Sequence, residues 1–195
     1  MTSTDIKLAK IFEHGINFSC KMCGECCRGS NEGEVYVYRD DIYRLAKHLN
    51  LTGEEGLRKF AQKYLKVVKN AFFYKETNSQ RGKTYRFDTL VFNFEGEDEH
   101  CRFLVNNRCS VHEFRPFQCR CFPFWKMMVS SRKNVIDYSK KCKGLRLLEG
   151  THYTKKQILS WANEEYHIEK EYFLEMKRHD FEILKVYPFL TKDMI

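Results

Sequence analysis

The chain has 195 residues, 43% of them hydrophobic, enough for one globular core with or without a helical appendage. No run approaches the roughly 18–20 apolar residues of a membrane-crossing helix, and Met1 to Ile11 carries Asp5, Lys7 and Lys10 where a secretory signal would be continuously apolar, so a cytoplasmic protein is expected. The formal net charge of +8 counts cysteines as neutral thiols; eight thiolates would remove about eight units before any metal charge is added back, so the basicity argues little for nucleic acid.

Residues 1–19 read as a short helical or irregular lead-in. Residues 20–34 form a Cys- and Gly-rich loop with Gly24, Gly29 and Gly33. Glu34 to Tyr38 alternates as a short strand. Asp40 or Asp41 caps a helix through His48, with Ile42, Leu45, Ala46 and Leu49 on one face. Thr52-Gly-Glu-Glu55 is a capping box for a second helix reaching about Val68. Strands are expected at Ala71–Tyr74, Thr84–Phe87 and Leu90–Phe94, with Asn78–Gly82 as a hairpin connection and Glu95–Glu99 as an acidic turn. Ser110-Val-His-Glu113 is a capping-box match for a short helix ending before Pro116. Thr154-Lys-Lys-Gln157 opens a long helical pattern to about Val186, with room for a break near His167, and Pro188 lies beyond it. The expected division is a cysteine-cluster metal-binding domain over 1–150 and a C-terminal helical extension packed on it over 151–195.

Nine cysteines in a reducing compartment point to metal or redox chemistry rather than to disulfides. Cys20-x-x-Cys23-x-x-Cys26-Cys27 places four thiols within one short loop, and its three-thiol run is of the kind that ligates iron–sulfur clusters. The adjacent Cys26 and Cys27 suit two metals or clusters better than one compact tetrahedron. A second group follows at Cys101, Cys109, Cys119, Cys121 and Cys142. Setting Cys121 aside leaves eight thiols, enough for two four-ligand sites, and interleaving the halves would make metal binding part of folding. Arg115 and Arg120 can balance thiolate charge or form ordinary carboxylate pairs. Phe122, Phe124 and Trp125 can shield a centre from water or simply fill the core. His100 and His112 lie near ligating positions, but eight thiols already suffice. Cys121, beside Arg120, is the candidate for a non-ligand thiol, either acidified or buried and inert.

The run Cys20–Cys27, the segment Cys109-Ser-Val-His-Glu-Phe-Arg-Pro-Phe-Gln-Cys119-Arg-Cys-Phe-Pro-Phe124 and the closing Cys142-Lys-Gly144 resemble the CxxCxxCC, or YkgJ-type, cysteine-cluster family, described as a putative zinc- or iron-chelating domain. The resemblance covers about residues 18–145 and implies ligation by Cys20, Cys23, Cys26, Cys27, Cys101, Cys109, Cys119 and Cys142, with Cys121 extra. Flagellin lysine methylases carry a similar cluster, although no glycine-rich nucleotide loop accompanies it here. The expectation is an α+β fold, a small metal-stabilised domain with short strands and helices around the cysteine sites and a C-terminal helical extension. The expected cofactor is iron–sulfur of the 4Fe–4S type, serving electron transfer or redox-assisted chemistry with a redox or protein partner. Two alternatives stand beside it: a structural zinc-binding interaction module, and a metal-dependent protein-modifying enzyme resembling the methylases.

Overall fold

The computed structural model describes residues 6–28, 33–76, 81–96 and 99–195. Gly29 of the cysteine loop, positions 78–80 of the expected hairpin connection and positions 97–98 of the acidic turn lie outside the described residues, as does Asp5.

In chain order, β1 (Ile16–Phe18) leads into the first cysteine run. Helices α1 (Arg39–His48) and α2 (Gly53–Tyr64) precede the long strands β2 (Leu65–Tyr74) and β3 (Lys83–Phe92). Two-residue strands follow: β4 (Phe94–Glu95), β5 (His100–Cys101), β6 (Leu104–Val105) and β7 (Arg108–Cys109). Short helices α3 (Phe117–Cys121), α4 (Lys126–Val129), α5 (Arg132–Ser139) and α6 (Lys143–Leu147) lead to β8 (Thr151–Tyr153), the long α7 (Lys155–Arg178) and α8 (Ile183–Val186). The strands pair antiparallel as β1 with β8, β2 with β3, β4 with β5 and β6 with β7, so the fold is mixed α+β with a helical C-terminal region. Among the described residues no helix is long and apolar enough to cross a membrane.

Contacts divide the chain into two compact units, Met1–Gly33 with Phe94–His167, and Glu34–Asn93 with Ile168–Ile195. Each is built from separated stretches of sequence, and the second passage from one to the other falls inside α7.

The core of the first unit gathers Phe12, Ile16, Phe18, Phe124, Met128, Val129, Val135, Leu145, Ile158 and Ala162. Burying each large side chain of this kind is worth about 1.5–3 kcal/mol, which lets short elements hold position without long ladders. At the start of α7, Gln157 Oε1 accepts from the Thr154 amide at 2.9 Å while Thr154 Oγ1 accepts from the Gln157 amide at 3.3 Å, a reciprocal cap where the sequence opens the helix. The helix runs through His167 without a break and stops at Arg178, where Asp180 and Phe181 take left-handed backbone angles.

In the second unit Phe173 packs against Phe72, Tyr74, Tyr85 and Phe87 on the β2–β3 ribbon. Arg39 reaches Glu175 at 2.5 Å and the Val186 carbonyl at 2.8 Å, tying the start of α1 to the C-terminal helices. Helix α2 ends at Tyr64 and not near Val68, because Leu65 to Val68 pair in register with Phe92 to Thr89. The β-branched Val67 and Val68 follow their cross-strand partners, and tertiary pairing overrides the helical spacing. For the same reason β3 continues through Asp88 and Thr89, joining two expected strands. Glu34–Tyr38 is an extended edge with one bridge, Tyr36 to Val91, reinforced by Val37 N–H donating to Leu90 O at 3.0 Å.

Candidate metal centre

The first cysteine run is shaped by its backbone. Met22 and Gly24 both adopt left-handed angles, φ 48° and 78°, so the chain folds back between Cys20 and Cys26. Gly24 is required twice over: its φ favours glycine, and a Cβ there would come within 2.9 Å of both Asn107 O and Leu104 Cδ1. A single 3-10 turn over Glu25–Cys27 follows, with Cys27 N–H donating to Gly24 O at 3.0 Å. Arg28 then bridges to His100 and hydrogen-bonds Asn107 Oδ1, seating this end of the run on the β5 and β6–β7 segments. Cys20 and Cys26 are exposed, Cys23 and Cys27 half-buried.

The second set of thiols is held by short elements. Cys101 lies buried in β5 opposite Phe94, and Cys109 lies in β7 opposite Leu104. Cys119 sits in α3, and Cys142 occupies the N-cap position of α6. Ser110, expected to cap a helix, instead donates its hydroxyl to Phe103 O at 3.0 Å, so only a 3-10 turn, His112–Phe114, forms before Pro116.

Three of these cysteines share a local arrangement. The backbone N–H two residues ahead bonds to the sulfur: Phe103 to Cys101, Val111 to Cys109, and Gly144, joined by Leu145, to Cys142. Amides aimed at sulfur stabilise its charged form, the form that ligates metal.

Burial works against ionisation. It pushes the Cys101 thiol up to about 11, with Cys109 and Cys26 adding to the effect. Burial raises Cys109 too, helped by Cys26 and Cys20, and raises Cys142, helped by Cys26 and Cys23. Cys119 is held well above the ordinary thiol range by burial, then by Cys26, Cys101 and Cys109. Cys26 is raised chiefly by its hydrogen bond with Cys27. Arg115 opposes the rise at Cys26, Cys109 and Cys119. Its Nε donates to His112 O at 2.9 Å, which fixes the plane of the guanidinium. Thiols from both halves of the sequence are therefore electrostatic neighbours. Among the described residues, no three Cys, His, Asp or Glu side chains are drawn closely enough together to form a metal-holding group.

Cys121 is different. It is fully buried, its thiol donates to Gln118 O at 3.6 Å, and its ionisation is pushed up by burial and then by Glu165. Arg120 does not acidify it: burial outweighs the cation, whose guanidinium lies over the Phe117 ring. The aromatic residues after Cys121 join the core, Phe122 edge-on to Phe18 and Trp125, and Phe124 against Tyr153, while Cys142 packs on the same cluster. His112 Nε2 is buried without a hydrogen-bond partner among the described residues, and His100 is engaged in the β4–β5 pair opposite Glu95.

A family model for the CxxCxxCC family, a putative zinc- or iron-chelating domain, matches residues 19–143. The chain belongs to the CxxCxxCC family. No solved structure matches it. The CxxCxxCC match begins at Ser19 and ends at Lys143, so it takes in all nine cysteines and lies across both units. Zinc- or iron-chelating chemistry fits the donors present: soft thiolate sulfur suits both metals, with amides supporting three sulfurs and one arginine offsetting charge. The amides at 103, 111 and 144 and the effect of Arg115 on three thiols are features that spacing alone does not single out.

Proposed function

We propose that the chain is a cysteine-ligated metal protein in which Cys20, Cys23, Cys26, Cys27, Cys101, Cys109, Cys119 and Cys142 hold iron–sulfur centres of the 4Fe–4S type, working in electron transfer or redox-assisted chemistry. The observation that supports this reading is that backbone amides stand at Cys101, Cys109 and Cys142, while Arg115 acts on Cys26, Cys109 and Cys119, thiols from both halves of the sequence. Iron–sulfur centres supply one-electron transfer when bound, at potentials tuned by net charge and by hydrogen bonds to sulfur. The chain's own contributions follow from that. The Phe103, Val111 and Gly144 amides direct positive dipole at Cys101, Cys109 and Cys142. Arg115 offsets negative charge near Cys26, Cys109 and Cys119, and the aromatic core around Phe122 keeps water from one side of Cys142. Nine free thiols belong in a reducing compartment, in keeping with a cytoplasmic protein.

The turn at Met22 to Gly24 specifically favours a second reading, structural zinc, because such a knuckle also builds closed four-thiolate zinc sites. Metal and acid-labile sulfide content, with a visible spectrum of protein purified without oxygen, decides between them. Iron with sulfide and broad visible absorption is expected. Colourless protein carrying zinc and no sulfide overturns the iron–sulfur reading in favour of the zinc scaffold.

A further inference from the structure

Resting on the reading of a metal centre that serves electron transfer, we propose that the exposed faces of α4, α5 and α6 form the docking surface for a small acidic redox protein, with Cys142 at the edge of the contact.

The three helices are consecutive and tied together. Asn134 Nδ2 donates to Met127 O at 2.9 Å, joining α5 to α4, and the Cys142 amide donates to Tyr138 O at 2.9 Å, carrying α5 directly into α6. Their inner faces are fixed by Met128, Val129, Val135 and Leu145 in the core of the first unit. The outer faces repeat one pattern. On α5, Arg132, Ile136 and Lys140 follow at intervals of four and so stack on one side, with Lys133 alongside, and all four are exposed. On α6, Lys143 and Leu147 are four apart with Arg146 beside them, again all exposed. Met127 of α4 and Leu148 at the end of α6 add two more exposed apolar side chains. Ile136 and Leu147 are each flanked by cations.

The charge here is concentrated and uncompensated. Residues 126–148 hold seven Lys and Arg against Asp137 alone, which places six of the formal net +8 on this segment. Asp137 is taken by Lys140 at 2.7 Å, and the next carboxylate along the chain, Glu149, by Lys21 at 3.2 Å. Arg132, Lys133, Lys143 and Arg146 form no ion pair among the described residues. A partner with carboxylates around an apolar centre complements such a face.

The apolar side chains separate this occupant from two other polyanions. They alternate with cations and none is aromatic. The face therefore has neither the continuous apolar strip with which a helix lies in a bilayer surface nor rings on which bases stack. Its place in the fold decides which acidic protein. Cys142 caps α6 between the exposed Lys141 and Lys143, so the surface opens at a thiol of the proposed centre. Redox partners meet over small contacts, below about 1,200 Å² in total, and charge steers such brief encounters.

The test is association of the metal-loaded full-length protein with an oxidised plant-type ferredoxin, a small acidic iron–sulfur protein, measured by surface plasmon resonance. Binding is expected at low salt and should be lost at about 0.5 M salt. The triple reversal R132E/K133E/R146E should weaken it about ten-fold or more, and I136S/L147S should weaken it without changing the net charge. The control K47E/K59E/K63E makes the same change in net charge on exposed residues of the other unit and should bind like wild type. Where the triple variant melts early, the single changes R132E and R146E replace it, each weakening binding in part. Absence of ferredoxin binding at low salt overturns the proposal, and so does equal weakening by the two triple variants. Tighter binding of anionic phospholipid vesicles or of a single-stranded DNA oligonucleotide than of ferredoxin, lost in R132E/K133E/R146E, overturns it in favour of a membrane or nucleic acid. Zinc without sulfide would sink the electron-transfer reading itself, and that result is read from metal analysis, independently of the docking measurement.

Discussion

Replacing Gly144 with alanine should loosen the first cysteine run at its root. The added Cβ would stand 2.5 Å from Ser19 O and 2.7 Å from Phe18 Cε2, where ordinary contact begins at 3.4 Å. Neither neighbour yields easily. Phe18 pairs with Thr151 in the β1–β8 ladder and packs edge-on against Phe122 and Phe124, and Ser19 O is backbone. Overpacking of this kind costs about 1–3 kcal/mol. Alanine returns at most about 1 kcal/mol through helix propensity, and less in so short a helix as α6. A net loss of about 1–2 kcal/mol should lower the melting temperature by roughly 2–8 °C for a protein of this size. Because Ser19 directly precedes Cys20, metal should also leave more readily. The control is Gly53→Ala in the other unit, where the backbone is left-handed at φ 71° but a Cβ meets nothing within 4 Å. Its cost is about 1–2 kcal/mol of backbone strain, with no route to the cysteines. Calorimetry and the rate of metal release to a chelator read both variants. The reasoning fails if Gly144→Ala melts like wild type, or if Gly53→Ala releases metal just as fast.

Cys121→Ala should leave the metal content unchanged and cost about 1 kcal/mol from the small void left in the core, seen in denaturant melts alongside metal analysis; loss of metal would place Cys121 among the ligands. Arg115→Gln removes the cation that favours ionised Cys26, Cys109 and Cys119, so the pH midpoint of metal uptake should move upward. An unmoved midpoint would clear Arg115 of that role. For metal-free protein, the folded Cys101 thiol keeps its proton until about 11, while the unfolded chain releases it near the ordinary value of 9.0. The folded state thus binds more protons in that window, and stability should fall as pH rises from about 9 to about 11. Melts that are flat or rising across that range would count against the burial of Cys101.

Much of the scaffold was legible because its signals are local. The Thr154–Gln157 cap is written in four residues, and α1 follows the apolar spacing of Ile42, Leu45 and Ala46. What the sequence hides is competition between partners. Leu65 to Val68 satisfies a helix as well as a strand, and only Phe92 to Thr89 across the ribbon decides. Ser110 carries a helix-capping signal but spends its hydroxyl on Phe103 O. The cysteines were visible as a constellation, but the contacts that seat the first run on later segments, Gly24 with Asn107 and Gly144 with Ser19, join positions more than 80 apart along the chain. Arg115 and Arg120 look equivalent in sequence; one donates to His112 O and lowers the thiols' ionisation cost, and the other lies over Phe117.

The interleaving of the two units has a consequence for synthesis. Cys20 to Cys27 emerge from the ribosome before residues 34–93, which belong to the other unit, and long before Cys142. At translation rates of about 5–20 residues per second, the interval from Cys27 to Cys142 lasts roughly 6–23 s. For that time the four thiols of the first run are present without the full set of later cysteines, open to oxidation and to whichever metal arrives first. A chain built in this order makes the cell's handling of nascent thiols, as much as the finished site, a determinant of which metal it carries.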